Sequence, residues 1–393
     1  MQKKDYDYVI VGGGISGGFA SFSIRKHDKR GSIALVGAEP HLPYDRVPLS
    51  KEFVRWERPL EELFFKREEF YRRNKVDLYR GHLAVKLNRM KREIVLDDGG
   101  RIGYEKLLLA TGGRPRKLDI PGSHYDGIFY LRNLEDSIAI RQRIPLAKKA
   151  VVVGGGFIGC ELAASLTTRG IETTIIEVMP HILGRAIDQK TSEWLKKYHE
   201  SKGTKVITQT SVIGFQGENG RVTGVKTSDN KLIQADLVAI GAGIVLNLNL
   251  AEDAGLKVEN GVVVNQKLRS NDSHIFAAGD IARFYSPLLD RYMRVEHYDV
   301  AEKHGTIAGA NMTGEQLEYD EPPYFFSDQY DISINAFGDL SKPTRIVTKG
   351  RLSSKGFIEY YLEGNKLAAI LSINGDWDEI EKAKAKIGTR VSM

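Results

Sequence analysis

The sequence predicts an α/β fold: two Rossmann-like dinucleotide-binding domains followed by a small C-terminal α+β domain. Three observations carry that expectation. The stretch Tyr8 to Gly18, YVIVGGGISGG, runs a β-branched strand into a glycine turn and then into a potentially helical segment. Ala150 to Glu161, AVVVGGGFIGCE, repeats the pattern. Each copy is later closed by an apolar strand that stops at glycines, LLLATGG at 107 to 113 and LVAIGAG at 237 to 243.

Gly12, Gly14 and Gly17 fit G-x-G-x-x-G, and so do Gly154, Gly156 and Gly159. The first glycine of such a loop permits the turn, the second lets a pyrophosphate reach the backbone, and the third lets the helix pack on the strand. The helix N-terminus then offers amides and partial positive charge to the diphosphate. One loop alone names no cofactor, and a strand-to-helix turn with no ligand is the plain alternative. The pair argues for two nucleotides.

Each loop has an acid downstream. Glu39 lies 22 residues after Gly17 and Glu177 lies 18 after Gly159, where a strand-end carboxylate reaches ribose hydroxyls. Glu177 has no arginine beside it in Glu177-Val178-Met179-Pro180, so it accepts from a 2′-hydroxyl and repels a 2′-phosphate. NADH is expected over NADPH. A third strand-to-glycine stop, HIFAAGDIAR at 274 to 283, ends in Asp280, which reads as an acceptor for a sugar-alcohol chain ahead of a helix or as that helix's N-cap. Two dinucleotides in one chain imply electrons passing between carriers. NADH has no use for a second NAD as acceptor, so the other site suits FAD. If the N-terminal loop shares its ligand with Asp280, the second nucleotide unit is inserted into the first.

The remaining elements follow in order. Residues 19 to 30 predict a helix and 32 to 36 a strand. PYDRVPLSKEF, 43 to 53, carries Pro43 and Pro48, which stiffen the loop and can hold Arg46 and Lys51 in place; a solvated basic loop is the plain alternative. Leu60, Leu63, Phe64 and Phe70 predict an amphipathic helix over 59 to 75. Alternation predicts strands over 77 to 101, with a turn at 97 to 100. KLLLATGGRPR then closes the first unit, with Thr111 at the strand end and Arg116 placed to meet a phosphate or to lead out of the domain. A helix is expected over 190 to 200, and strands over 205 to 235 with turns at Asn219-Gly220 and Asp229-Asn230. Ala301, Gly305, Ala308 and Gly309 make a small-residue helix face within 295 to 314. Strands over 345 to 373 and a helix over 377 to 386 end the chain.

At 393 residues the chain exceeds one core. With 41% hydrophobic and 27% charged residues it reads as a soluble globular protein, and no apolar run reaches the ~18 residues that span a bilayer. The charged N-terminus enters a strand at once, which argues against a signal peptide and for a cytoplasmic protein. The net charge of +6 mixes Lys and Arg among Asp and Glu, a pattern that suits an acidic partner better than nucleic acid. Cys160, the single cysteine, cannot form a dithiol within the chain and reads as a small core residue. The nine histidines show no metal-ligand spacing, so no metal is expected.

Taken together, VGGGISGG with Glu39, PYDRVPLSK, LLLATGGRPR, GGGFIGCELA, IFAAGD and PYFFSDQYD resemble the FAD-dependent pyridine nucleotide oxidoreductases of the ferredoxin and rubredoxin reductase group, over essentially the whole chain. The segment at 294 to 314 is similar to apoptosis-inducing factor, a relative in that group. The resemblance implies a glutathione-reductase-like arrangement: a discontinuous FAD domain at 1–116 and 240–318, an NAD domain at 117–239, and an interface domain at 319–393. It implies FAD contacts from Gly12, Gly14, Gly17, Glu39, Arg46, Lys51, Thr111, Arg116 and Asp280, and NADH contacts from Gly154, Gly156, Gly159 and Glu177. Lys51 and Glu161 match an ion pair near the flavin N5, and Phe157 an aromatic over the isoalloxazine. Glu296, His297 and Tyr298 match the stretch beside the pyrimidine and nicotinamide, and Phe326 the aromatic at the mouth. Val47, Leu246 and Phe326 depart from the proline, proline and tryptophan frequent in relatives. No cysteine lies near 46 to 51, which argues against disulfide reductase activity. The implied activity is hydride transfer from NADH to FAD and onward to a small iron-sulfur protein, in a monomer or homodimer. An NADH oxidase or quinone reductase, and a redox sensor acting through partner binding, are the alternatives.

Overall fold

The β-branched run at 9 to 11 forms the buried end of strand Lys4–Val11, as its composition dictates. The structure is a computed structural model that describes residues 3–353 and 355–392. It divides into two units: one holds residues up to Asp45, Glu61–Arg114 and Val245–Phe325, the other Arg46–Leu60, Pro115–Ile244 and residues from Phe326 onward.

In the first unit the parallel strands stand in the order Val76–Arg80, Ile33–Gly37, Lys4–Val11, Arg101–Leu109 and Ile275–Ala277. Glu93–Leu96 and Ala84–Asn88 extend the sheet antiparallel from Arg101–Leu109. Strands buried on both faces read as continuous apolar runs, and Leu107, Leu108 and Leu109 are accordingly all buried. Helices Ile15–His27 and Tyr298–Met312 pack closely through the small-residue face expected at 301 to 309. A Cβ on Gly305 would lie 2.3 Å from the Ser16 carbonyl oxygen, and one on Gly309 would lie 2.6 Å from that of Ala20. Ser16 and Ser23 tie the pair by donating to the Ala301 and Thr306 carbonyls at 2.8 and 2.7 Å.

The second unit repeats the order: Lys205–Ile207, Glu172–Ile176, Lys149–Val153, Leu237–Ile240 and Ile128–Tyr130, all parallel. An antiparallel meander, Val212–Glu218, Arg221–Thr227 and Leu232–Gln234, turns at the expected Asn219-Gly220 and Asn230, each with positive φ. A five-stranded antiparallel sheet, ordered Tyr324–Gln329, Ile332–Gly338, Lys366–Ile373, Phe357–Glu363 and Arg345–Gly350, is joined by helix Trp377–Lys384.

Local reading went wrong at 59 to 75. Instead of one helix there are a turn at Leu60–Glu62 and a short helix Glu68–Arg73. Residues 63 to 65 are drawn into pairing with 43 to 45: Asp45 N–H donates to Leu63 and Phe65 N–H to Pro43, at 2.8 and 3.2 Å. The apolar spacing was satisfied by that contact and not by a helix face. Asp280 likewise precedes no helix; it sits in the single turn Gly279–Ile281, which leads straight into strand Ala282–Ser286.

One buried junction in the second unit holds two acids. Asp188 caps helix Gln189–Ser201 by accepting from the Lys190 amide at 2.8 Å, and the Tyr361 hydroxyl lies 3.2 Å from both Asp188 Oδ2 and Glu359 Oε2. Thr191 donates to Glu359 Oε1 at 2.8 Å. Burial, then the hydrogen bond and charge of Asp188, push Glu359 up to about 8. A raised carboxyl pKa stabilises the fold fully below the ordinary carboxylate pKa, and that contribution is lost as pH rises through about 8. Glu359→Gln keeps a donor toward Asp188 without needing a proton. Thermal unfolding from about pH 5 to about pH 9 should show a flatter decline for the variant, which ends up the more stable by on the order of a few kcal/mol at the alkaline end.

Candidate active site

The two glycine loops are built alike, bond for bond. Gly12 N–H donates to Val36 and Gly154 N–H to Ile176, both at 2.8 Å, so each loop begins by crossing to the neighbouring strand. Ala110 N–H donates to Val11 at 2.8 Å and Gly241 N–H to Val153 at 2.7 Å, which brings the two glycine-stopped strands against the loops. Here the echo in the sequence finds its cause. A Cβ on Gly12 would lie 2.0 Å from the Ala110 oxygen, and one on Gly154 would lie 2.4 Å from that of Gly241. The third glycines are as confined, with Gly17 against the Gly12 oxygen at 1.8 Å and Gly159 against that of Gly154 at 2.0 Å.

The middle glycines differ in kind. Gly14 and Gly156 are the N-caps of helices Ile15–His27 and Phe157–Thr168, neither with a side-chain cap, and a Cβ on Gly156 would meet nothing within 4 Å. Helices Leu134–Arg143, Gln189–Ser201 and Trp377–Lys384, by contrast, are capped by the side chains of Asn133, Asp188 and Asp376. Bare N-termini with open approach suit a diphosphate, which supplies the acceptors a capping side chain otherwise provides.

In the first unit Glu39 is half-buried and accepts from the Tyr44 hydroxyl at 2.5 Å. Gly279 has φ +72, and a Cβ there would lie 2.5 Å from Ser16 Oγ, so Asp280 is carried to the start of helix Ile15–His27. Thr111 commits its hydroxyl proton to the Asn247 carbonyl at 2.8 Å, and Asn247 Nδ2 returns a bond to the Thr111 carbonyl at 2.9 Å. His297 is the N-cap residue of helix Tyr298–Met312, again without a side-chain cap, and its ring stacks on Phe325 at 4.7 Å and 19°. Burial lowers its pKa to about 4 against the opposing pull of Asp280, so the ring is neutral at pH 7. Tyr298 follows half-buried in the first helical turn, and exposed Glu296 pairs with Arg294 at 2.5 Å.

The second unit holds the charged centre. Residues i and i+4 share a helix face, so Phe157 and Glu161 project from the same side of the helix that starts at Gly156. Glu161 Oε1 lies 3.4 Å from Lys51 Nζ, with both side chains buried. Ser50 donates to Glu161 Oε2 at 2.5 Å and Ser327 to Oε1 at 2.7 Å, while Lys51 Nζ stands 5.6 Å from the Phe326 ring centre. Burial raises the pKa of Glu161, and the Lys51 charge and the two hydroxyls oppose the rise. Pro48 lies in the tight turn Val47–Ser50 that delivers Ser50 and Lys51, and Arg46 is held by donating to the Arg132 carbonyl at 2.8 Å. Glu177 accepts from the amides of Gly155 at 2.6 Å and Met179 at 2.7 Å, which pins the loop while each oxygen retains a further lone pair. Arg116 is exposed, and its amide donates to Gly243 at 2.9 Å. Cys160 is buried, with its thiol pKa pushed up by burial, so it is no nucleophile.

Lys51, Glu161, Phe157 and Phe326 are thus gathered within one unit, whereas His297 belongs to the other. Ser50, Ser327 and Asn247 were not singled out from the sequence. The first two sit directly beside Lys51 and Phe326, but a serine carries no local mark of what it bonds.

A glycine cradle at the ends of the parallel strands in each of two sheets, with a buried carboxylate on the second helix paired to a lysine, defines an oxidoreductase that uses two dinucleotides. The family model for pyridine nucleotide-disulphide oxidoreductases matches residues 6–305, and that for the reductase C-terminal domain matches 324–393. The chain belongs to the pyridine nucleotide-disulphide oxidoreductase family, and its cofactors are FAD and a nicotinamide dinucleotide. It is 33% identical to putidaredoxin reductase of Pseudomonas putida, covering 95% of this chain and 90% of that one. To the rhodocoxin reductase of Rhodococcus erythropolis it is 32% identical, covering 96% and 88%. A crystal structure of a ferredoxin reductase from Rhodopseudomonas palustris superposes with a TM-score of 0.93 at 34% identity, covering 98% of this chain and 96% of that one. The reductase in a covalent putidaredoxin reductase–putidaredoxin complex does so at 0.93 and 33%, covering 97% and 92%. With a single, buried cysteine, this chain lacks the dithiol of the family's name.

The glycine geometry separates two effects. Gly17→Ala and Gly159→Ala force a Cβ into a carbonyl oxygen and should lower stability by about 3 kcal/mol or abolish soluble expression. Gly156→Ala should unfold within about a degree of the parent, as thermal melts of the three variants will show.

Proposed function

We propose that this protein takes hydride from NADH and delivers electrons through FAD to a small acidic iron-sulfur protein. The observation that carries this reading is the buried pair of Lys51, which follows the turn Val47–Ser50 and is faced by Phe326, with Glu161 on the helix that begins at the open Gly156 cradle. Both groups fit a flavin: Lys51 is a buried cation, and Glu161 holds it without exposing it to water. Bound FAD accepts two electrons as hydride and releases them singly, which is the chemistry that joins a nicotinamide to a one-electron acceptor.

The residues of the chain do the rest. Lys51 would hold positive charge beside a bound flavin and so favour its anionic reduced form. Glu161 anchors Lys51; removing either partner leaves an uncompensated buried charge. Phe157, four residues ahead on the same helix face, covers the place the nicotinamide takes and keeps water out. Glu177, pinned by two amides, presents its charge to the adenosine ribose, which favours NADH over NADPH. Within the first unit, the neutral His297 ring and the bare N-terminus of its helix would suit a polar, acceptor-bearing group of a cofactor.

For the acceptor, support comes from the relatives, whose names specify putidaredoxin, rhodocoxin and rubredoxin reductases, and from a formal charge of +6 that attracts an acidic partner. We place the protein in the cytoplasm, where NADH is supplied; among the described residues no helix is long and apolar enough to cross a membrane.

Anaerobic stopped-flow mixing with NADH tests the reading, followed by oxygen, a quinone, a ferredoxin or a rubredoxin in turn. Fast reoxidation by an iron-sulfur protein alone, slowing as salt is added, is expected; equal or faster turnover with oxygen or quinone sinks it. Lys51→Met should slow flavin reduction by about 10²-fold, and an unchanged rate removes Lys51 from the mechanism. Gly156→Ala should raise the NADH Kd while leaving the bound flavin spectrum intact.

A further inference from the structure

The charged centre does not end at Glu161. Ser327, which donates to Glu161 Oε1 at 2.7 Å, also lies 3.1 Å from Gln329 Nε2, and Gln329 Oε1 lies 2.8 Å from His199 Nε2. Ser327, Gln329 and His199 all have zero exposure, so water cannot substitute for any link. The strand Tyr324–Gln329 alternates its side chains, which places residues 327 and 329 on one face, and helix Gln189–Ser201 supplies His199 from within the same unit.

The donor inventory fixes the direction of this chain. Ser327 has one hydroxyl proton and gives it to Glu161, so toward Gln329 it can only accept. Gln329 must then present its amide nitrogen to Ser327 and its oxygen to His199. His199 must in turn carry its proton on Nε2. Its Nδ1 is left bare, and that atom is buried without a hydrogen-bond partner.

One other arrangement runs the same four groups in reverse, with the proton of a neutral Glu161 placed on Oε1 and not on the Oε2 that faces Ser50. A protonated Glu161 donates to Ser327 Oγ, Ser327 donates to Gln329 Oε1, the flipped Gln329 amide donates to His199 Nε2, and the imidazole proton moves to Nδ1. The reversal takes up one proton in total, the one on Glu161; His199 exchanges its Nε2 proton for one on Nδ1 with no net gain. With the proton on Oε1, the side that Ser327 serves, Glu161 charge and His199 tautomer are two ends of one switch.

We infer that Ser327, Gln329 and His199 are positioning residues that hold Glu161 ionised beside Lys51, through the tautomer of a histidine that touches neither. Burial alone would favour the neutral carboxyl, and Lys51, Ser50 and Ser327 oppose it from three sides; the adjacent Cys160 thiol stays neutral. His199 cannot supply the control by charging. Burial lowers its pKa, Gln329 and the Tyr330 ring at 5.2 Å enclose it, and the nearby Lys202 is engaged with Asp331 at 2.7 Å.

The hydrogen-bond coupling stands by itself, while its effect on electron transfer rests on the proposal that Lys51 and Glu161 attend the flavin. Nitrogen-15 NMR of histidine-labelled holoprotein, with the His199 signals assigned by their loss in His199→Gln, reads the tautomer directly. The Nε2–H form is expected at pH 7, changing toward Nδ1–H on acidification as Glu161 takes its proton. In Ser327→Ala that response should vanish. The acid limb of the pH profile for NADH-driven flavin reduction should also move up by about one pH unit, since the carboxylate has lost a donor, and Ser327→Thr should restore both. An Nδ1–H tautomer at pH 7 in the unmodified protein overturns the inference without recourse to any variant. So do His199 signals indifferent to acidification, or a Ser327→Ala profile that overlays the parent. If Lys51→Met leaves flavin reduction unchanged while the NMR response holds, the flavin assignment has failed and the coupling has not.

Discussion

The fold depends on how closely two backbones can approach where a sheet meets a helix. At Gly12, Gly17, Gly154 and Gly159 a β-carbon would stand between 1.8 and 2.4 Å from a carbonyl oxygen, far inside contact distance. Absent those carbons, each helix starts directly over the end of its strand, and its first amides point out of the sheet at the place where the parallel strands end. Everything chemical follows from that placement. Helix Phe157–Thr168 begins at residue 157 because residue 156 is a glycine in extended conformation, and Glu161 faces Lys51 because it lies one helical turn beyond Phe157.

Burying Glu161 would by itself favour a neutral acid. The unit answers with donors: two serine hydroxyls and one ammonium converge on the two carboxylate oxygens at 2.5 to 3.4 Å. None of these is a strong interaction in water, where surface pairs contribute little. Inside the protein the same bonds decide a charge state, because solvation is no longer the alternative. Glu359 is raised as well, but there burial is reinforced by another acid, Asp188, where at Glu161 it is opposed by Lys51 and two hydroxyls; the pKa of Glu359 is pushed to about 8.

What the sequence revealed was what is local. The glycine loops, the strand-end acids and the small-residue helix face are each written within a dozen or so residues, because the geometry they serve is that short. The helix expected at 59 to 75 failed for the complementary reason: its apolar spacing answered to residues 43 to 45, and a periodicity count has no knowledge of a partner strand. Lys51 and Glu161 were named as a pair only through the resemblance of whole motifs; no spacing joins residues separated by 110 positions. Ser327 and Gln329 lie within PYFFSDQYD, but nothing in that motif assigned them a role, and His199 lies in no motif. A buried glutamine and a buried histidine are indistinguishable in sequence from exposed ones.

This distribution along the chain has a physical consequence. The centre is assembled from the loop at 46 to 53, the helix that starts at 157 and the strand that starts at 324, and none of the three is stable with its share alone. Lys51 would stay in water without Glu161, and Glu161 on an isolated helix would be solvated and ionised with no need of serines. The burial that gives the pair its character appears only once strand Tyr324–Gln329 closes over it, with the successive residues Phe326 and Ser327 on opposite faces of the strand, one near Lys51 and the other on Glu161. Ser327 points to the carboxylate and Phe326 toward the ammonium's surroundings, so one strand both satisfies the charge and dries it. A centre built this way cannot be half formed: until the last segment docks there is no desolvated charge, and once it docks no water is left to replace a missing donor.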